Sequence, residues 1–319
     1  MSIIIIDGLS FALPLFIMAV GGIYCERSGV TMLALEGLQG FGAFIGALSV
    51  VLLKPVVGDA SPFMIYFAMA AAMLGGMAYS LLHAVLCVRF KAGQTISGVV
   101  VNILSVALTA FFTSVINRAL TGDATNRFLI GVSARFTVPG ISRIPVIGHA
   151  FRNMYPFEIV ILILAAFSWY LLYKTRFGLR LRACGDNPHS LDAAGGDVGI
   201  TRVKAIMVTG AFSGLAGICF AYSIMAMFAP SIYMGYGYLA IAAMIFGNWE
   251  ILSTFAVCLF FGFARSGGYQ LCIALGMSSN FSDLFMTLPY VLTLLSLVFF
   301  SKQNHPPRAI GEIFDKSKR

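Results

Sequence analysis

The sequence is poor in charge. Only 11% of its 319 residues are Asp, Glu, Lys or Arg, against about 25% in ordinary soluble domains. That is too little charge to cover a water-soluble surface of this length. A soluble enzyme, a disordered chain and a nucleic-acid binder are thereby excluded. Metal and disulfide spacings are lacking too. The six cysteines (Cys25, Cys87, Cys184, Cys219, Cys258 and Cys272) form no C-x-x-C pair and mostly sit in apolar runs. They read as small buried hydrophobes. The four histidines, His83, His149, His189 and His305, are isolated. They read as loop or interface residues, because a metal site needs several converging ligands. There is no H-E-x-x-H and no G-x-S-x-G, so neither a metalloprotease nor an esterase motif is present. There is no G-x-x-x-x-G-K-[ST] either, so the chain has no ATP-cradling loop of its own. Deep acidic residues are few. Glu36, Glu250 and Asp283 fall near the ends of apolar runs, which argues against a proton-driven pump. Tandem repeats and low-complexity tracts are absent. The first ten residues have no basic region and no small-residue cleavage site, so they read as the start of a retained span.

What is there is apolar. Hydrophobic residues make up 59% of the chain, and the mean hydropathy is +0.89. At about 20 apolar residues per crossing, the pattern predicts about nine spans, between eight and ten. They are Gly8–Cys25, Thr31–Leu53, Pro62–Leu82, Thr95–Asn117, Tyr155–Tyr173, Ala205–Phe228, Ile232–Phe246, Ile251–Cys272 and Asp283–Ser301. The seventh is short, bounded by Pro230 and Gly247-Asn248-Trp249-Glu250, and reads as a broken or re-entrant piece. The fold class is therefore all-α, a polytopic transmembrane bundle forming one domain over residues 1–319. Lys and Arg mark the cytoplasmic side. The loop 174–204 carries Lys174, Arg176, Arg180, Arg182, Arg202 and Lys204, and the tail 302–319 is basic as well. With nine spans both fall on one side, with Arg89 and Lys91. The C-terminus is then cytoplasmic and the N-terminus outside. The loop 118–154 lies outside yet holds Arg118, Arg127, Arg135, Arg143 and Arg152. These are either a docking surface or incidental charge on a solvated loop.

Four segments carry a resemblance. They are Glu26-Arg27-Ser28-Gly29-Val30 with Leu33-Ala34-Leu35-Glu36-Gly37; Gln94-Thr95-Ile96-Ser97-Gly98 with Asn102; Gly185-Asp186-Asn187-Pro188 with Ala193-Ala194, Gly199-Ile200 and Lys204; and Ile245-Phe246-Gly247-Asn248-Trp249 with Phe261-Gly262. Together, over nearly the whole chain, they resemble the membrane permease subunits of bacterial ABC importers. The class includes ribose, branched-chain amino acid and nucleoside permeases, and the first segment is most similar to the nucleoside branch. The resemblance implies a separate ATPase subunit holding ATP and Mg, with no cofactor in this chain. It also implies an extracytoplasmic binding protein, a second and homologous permease making a heterodimer, and residence in the bacterial inner membrane. Nucleosides are the expected cargo, with riboflavin or a simple sugar as the alternative. An intramembrane lipid-modifying enzyme or a secondary carrier is a remoter reading.

The resemblance further implies that Gly185, Asp186, Asn187, Pro188, Ala193, Ala194 and Gly199 form the element that couples to the ATPase. The residues suit a short helix. Asp186 and Asn187 are good N-caps, Pro188 fits the first turn, and Gly195-Gly196 ends it. Gly185 offers backbone freedom. Without the resemblance, an ordinary turn–helix–turn reads equally from these residues. In the fourth span Ser105, Thr109 and Thr113 recur every four residues, with Asn102 near the same stripe. The stripe faces a substrate path or glues helices together. Asn248 and Trp249 mark either a half-helix break beside the path or a tight turn at the membrane surface. Arg127, Arg135, Arg143 and Arg152 are the candidate binding-protein contacts. The small-x-x-x-small spacings around Gly42 and Gly214 read as close helix packing.

Overall fold

The computed structural model describes residues 2–57, 63–137, 148, 151–277, 281–293 and 305–315. Among these, seven helices are long and apolar enough to cross a membrane. They are α1 (Ser2–Glu26), α2 (Leu35–Val57), α3 (Met64–Ala84), α4 (Gln94–Thr121), α5 (Pro156–Lys174), α8 (Val198–Phe220) and α10 (Ile251–Ala274). Two helices continue as a turn of π-helix, α3 through Val85–Arg89 and α8 through Ala221–Met225. Three short helices, α6 (Arg176–Asp186), α7 (Pro188–Ala193) and α9 (Tyr236–Phe246), fill connections, and α11 (Ser282–Met286) follows α10. The chain is a polytopic helical bundle, as its hydropathy predicts.

The seventh expected span is the 11-residue α9. At 1.5 Å per residue it covers only about half of a bilayer core of about 30 Å. The ninth is represented by the short apolar helix Leu284–Thr293; positions 294–301 lie outside the described residues. The sixth starts seven residues earlier than hydropathy suggests, because its polar first turn is capped by Asp197, whose Oδ1 accepts from Ile200 N–H at 2.9 Å.

Helix α8 is the axis of the bundle, with 89% of its spanning window buried, whereas α4 has 22% buried. Apart from small hydroxyl side chains, Asn102 and polar or charged residues near their ends, both are apolar. In water that pattern would demand burial for each. In a bilayer, lipid can cover Ile96, Ile103 and Phe111 of α4, which are exposed here. The axis is built on glycine. A Cβ on Gly42 of α2 would overlap Gly214 of α8, one on Gly76 of α3 would overlap the Gly210 carbonyl, and one on Gly217 would overlap the Gln39 carbonyl. Three backbones thus touch directly, where dispersion replaces the hydrophobic drive that lipid removes.

A small feature lies outside any hydropathy signal. Strand β1 (Phe128–Leu129), in the long connection between α4 and α5, pairs antiparallel with β2 (Met227–Phe228), which follows α8. Phe44 of α2 holds both, at 6.0 Å from the Phe128 ring and 5.9 Å from that of Phe228. The connection is thereby pinned onto the bundle.

Candidate functional site

The four resemblance-bearing segments meet at one end of the bundle, around the loop joining α1 to α2, apart from Phe261-Gly262, which packs near Gly8 and Ala12 of α1. Glu26 is buried there. Its Oε2 accepts from the Trp249 indole at 2.6 Å, and its Oε1 accepts from Met32 N–H at 3.3 Å. Arg27 donates two hydrogen bonds to the Trp249 carbonyl, at 3.2 and 3.1 Å. Asn248 and Trp249 both sit at positive φ, 53° and 55°, so the chain reverses tightly between α9 and α10. Trp249 is 5% exposed. It is a junction residue held by a carboxylate, at the foot of the bundle. From the other side, Gln94 Oε1 accepts from Thr31 N–H at 2.7 Å, and His83 Nδ1 shares a hydrogen bond of 2.9 Å with Ser97.

Segment three closes the junction. Gly185 lies within α6, where its backbone angles are ordinary. The expectation of special backbone freedom is therefore corrected. Glycine is required there because a Cβ would overlap the Arg27 carbonyl. The Gly185 carbonyl accepts from Ala309 N–H at 2.8 Å, and Gly29 O accepts from Gly311 N–H at 3.0 Å. Buried Arg202 ties Ser28 O and Glu312 O, at 3.3 and 2.9 Å. The segment 305–315 is thus a strap laid across the foot of α1 and α6. Sequence reading saw it only as a basic tail. Arg202 and Glu26 were also missed as anchors, and their signal was an ionisable residue three positions from a glycine near a span end. Cys184, beneath the strap, is buried with Leu191 and Val198. Burial pushes its thiol pKa up, and nearby Arg202 offsets this only partly. It stays protonated and unreactive, as suits a packing residue.

Beyond the strap, α7 projects. Asn187 caps it, its Oδ1 accepting from Ser190 N–H at 3.1 Å, and Pro188 takes the first position. Asp186 is the last residue of α6, so only Asn187 acts as cap. Gly195 terminates the helix at φ 78°, an angle that glycine adopts without strain. Pro188 and Leu191 point inward, while Asn187, Ser190, Ala193 and Ala194 are exposed. The result is a small, smooth knob on the basic end of the bundle. Gly199 follows in the first turn of α8, half-buried.

The polar stripe of α4 faces α2. Asn102 bridges the start of α2, its Oδ1 accepting from Gly37 N–H at 2.7 Å and its Nδ2 donating to Leu33 O at 2.8 Å. Ser105 donates to Gly37 O at 2.7 Å, and Thr109 to Ser105 O at 2.8 Å. Ser105 and Thr109 also line a narrow cleft with Glu36, Gly40 and Tyr233. The structure gathers these three on one helix face and leaves Asn248 and Trp249 at the junction, so the five path candidates do not form one lining. Asn102→Leu is expected to strand two backbone groups of α2 at a cost of about 1–3 kcal/mol. The melting temperature of the purified protein should fall by several degrees. An unchanged melting temperature with altered transport would identify the amide as a substrate contact instead.

Of the arginines between α4 and α5, Arg127 and Arg152 are exposed, and Arg143 lies outside the described residues. Arg135 stacks on the Tyr155 ring at 4.4 Å and donates to its hydroxyl at 2.6 Å. Its guanidinium is therefore part of the scaffold of that connection.

The fold is a lipid-facing helical bundle with a short helix exposed at its basic foot. The chain belongs to the branched-chain amino acid transport system / permease component family, whose profile matches residues 4–297. It is 36% identical to the guanosine ABC transporter permease protein NupQ of Bacillus subtilis, over 100% of this chain and 98% of that one. It is 32% identical to the nucleoside ABC transporter permease protein NupC of Lactococcus lactis, over 100% and 98%. A second B. subtilis protein, the guanosine ABC transporter permease protein NupP, is 27% identical over 67% of this chain and 60% of its own. No solved structure matches. The chain is a multi-pass membrane protein and a transport subunit.

Proposed function

We propose that this chain is one permease of an ATP-driven importer of nucleosides. The observation that carries the reading is full-length likeness to two permeases named for guanosine and nucleosides. A binding protein delivers the nucleoside from outside. A second, homologous permease completes the pore, a pairing supported by the likeness to both NupQ and NupP of one organism. A separate ATPase subunit binds ATP and Mg and seats the α7 knob. The basic foot of the bundle is then cytoplasmic and the N-terminus outside, in the bacterial inner membrane. ATP binding shifts the equilibrium between outward- and inward-open packings, and this chain supplies no bond-making chemistry.

The reading is tested by reconstituting the permeases and ATPase in liposomes with the binding protein. Guanosine should accumulate only with ATP. Accumulation of riboflavin or ribose alone would overturn the cargo, and uptake driven by an ion gradient without ATP would overturn the machine. In the same system, Arg127, Arg143 and Arg152 changed to Ser should raise the binding-protein concentration for half-maximal uptake severalfold at low salt. Added salt should mimic the change, since encounter is steered electrostatically. A salt-independent, unaltered half-maximum would make the loop a connector.

A further inference from the structure

Away from the foot of the bundle, a second cavity opens between α1, the π-turn after α8, α10 and α11. Its volume is about 220 Å³. It is lined by Asp7, Phe11, Ser223, Arg265, Ser266 and Tyr269, among others. Four of these side chains, Asp7, Ser223, Ser266 and Tyr269, carry an acid or hydroxyl group on three helical elements, and one is a guanidinium. Such a set inside membrane-spanning helices is costly unless it serves a polar ligand.

The charges are arranged unusually. Arg265 lies 4.5 Å over the Phe11 ring, and its one hydrogen bond goes to the weak acceptor Met286 Sδ, at 3.8 Å. Asp7 lines the same cavity. Among the described residues the two form no salt bridge with each other. Ser10 caps the backbone carbonyl of Asp7, at 3.0 Å, and leaves its carboxylate alone. A donor fork and an acceptor carboxylate thus line one small space, with Arg135 as well as Arg265 acting on the Asp7 carboxylate by charge. The space between Asp7 and Arg265 is a place for a guest that offers an acceptor to Arg265 and a donor to Asp7.

We infer that this cavity is an outer subsite for the lactam edge of a nucleobase, a ring carbonyl adjacent to a ring N–H. The inference rests on the nucleoside reading above. Arg265 donates to the carbonyl, as guanidinium groups do to the O6/N7 edge of guanine. Asp7 accepts from the neighbouring N–H. Tyr269 supplies an apolar wall for the ring, and Phe11, buried beneath Arg265, holds the guanidinium in place. The volume lies below the roughly 300 Å³ at which drug-sized ligand pockets begin. It therefore admits a base and leaves the ribose at the mouth, near Ser223. Guanine, hypoxanthine and uracil carry the lactam edge. Adenine and cytosine present an amino group where the carbonyl should be, which would set a donor against Arg265. A site built for one hydrogen-bond pattern rejects the other by leaving its own groups unpaired.

The test uses the reconstituted transporter at saturating binding protein, with guanosine and adenosine as paired cargoes. Asp7→Asn and Arg265→Gln should each lower the guanosine-to-adenosine uptake ratio by about tenfold or more. A second measurement needs no charge change. The six native cysteines are buried, so a thiol from Tyr269→Cys at the cavity rim can be labelled selectively with a membrane-impermeant maleimide. Guanosine, inosine and uridine should slow that labelling, and adenosine and cytidine should not. An unchanged ratio in both charge variants, or equal protection by all five nucleosides, overturns the assignment. So does failure of both charge variants to assemble together with absence of protection, which would make the pair purely structural. Loss of all nucleoside transport by the unaltered protein would instead overturn the proposed function, and is read separately.

Discussion

Ala194→Trp is expected to abolish transport while leaving the bundle folded. Ala194 is the C-cap of α7 and is exposed, as are Ala193 and Ser190. An exposed position accommodates a larger side chain, and the change in helix propensity is about 0.7 kcal/mol at most. The melting temperature should therefore hold. The proposed ATPase groove is another matter. A small, smooth knob fits closely, and an indole forced into a close-fitting contact costs about 1–3 kcal/mol. That weakens docking by about 5- to 150-fold. Uptake and ATPase co-purification should fall together. A single thiol introduced by Ser190→Cys should crosslink to the ATPase subunit. Crosslinking to the binding protein would invert the topology, and normal uptake by Ala194→Trp would remove α7 from the coupling contact.

Much of this was legible in the sequence, for physical reasons that can be named. Hydropathy reads lipid contact directly, so the long helices appear as runs of about 20 residues. The knob was legible because caps are local chemistry: Asn187 before Pro188, and Gly195 after the helix, act on residues next to them. The small-residue spacings of α2 and α8 were legible because backbone contact needs a fixed repeat. The rest depended on residues far apart in the chain. Glu26 meets Trp249 across 223 positions, and Arg202 meets Glu312 across 110. No periodicity announces such pairs. The π-turn at Ala221–Met225 was blurred into a hydropathy window, whereas the short α9 was legible from Pro230 and Gly247 at its bounds. The Asp7–Arg265 cavity was invisible. Asp7 sits just before the first expected span and Arg265 lies within the eighth, and no periodicity joins the two.

Gly185→Val should fail in a different way from Ala194→Trp, although the two positions lie nine residues apart. Gly185 is buried, and any Cβ there would overlap the Arg27 carbonyl. Backbone cannot move aside as a flexible side chain can. Valine must drive α6 away from the foot of α1, and the strap goes with it. The Ala309-to-Gly185 hydrogen bond and the neighbouring Gly311-to-Gly29 bond stretch or break. Arg202 then loses the carbonyl partners that allow its charge to be buried. Overpacking costs about 1–3 kcal/mol, and each buried hydrogen bond lost adds about 1 kcal/mol. The sum, about 3–5 kcal/mol, is a large share of the 5–15 kcal/mol by which proteins are usually stable. The expected result is a lower melting temperature, a strap cut readily by protease near Pro307, and poor assembly with any partner. Gly185→Ala should show the same pattern more mildly. Gly195→Ala is the control, because a Cβ there meets nothing within 4 Å; only its positive φ resists, at about 1–2 kcal/mol. A Gly185→Val protein with an unchanged melting temperature and a protease-resistant strap would show that the foot of the bundle is not held together by this contact.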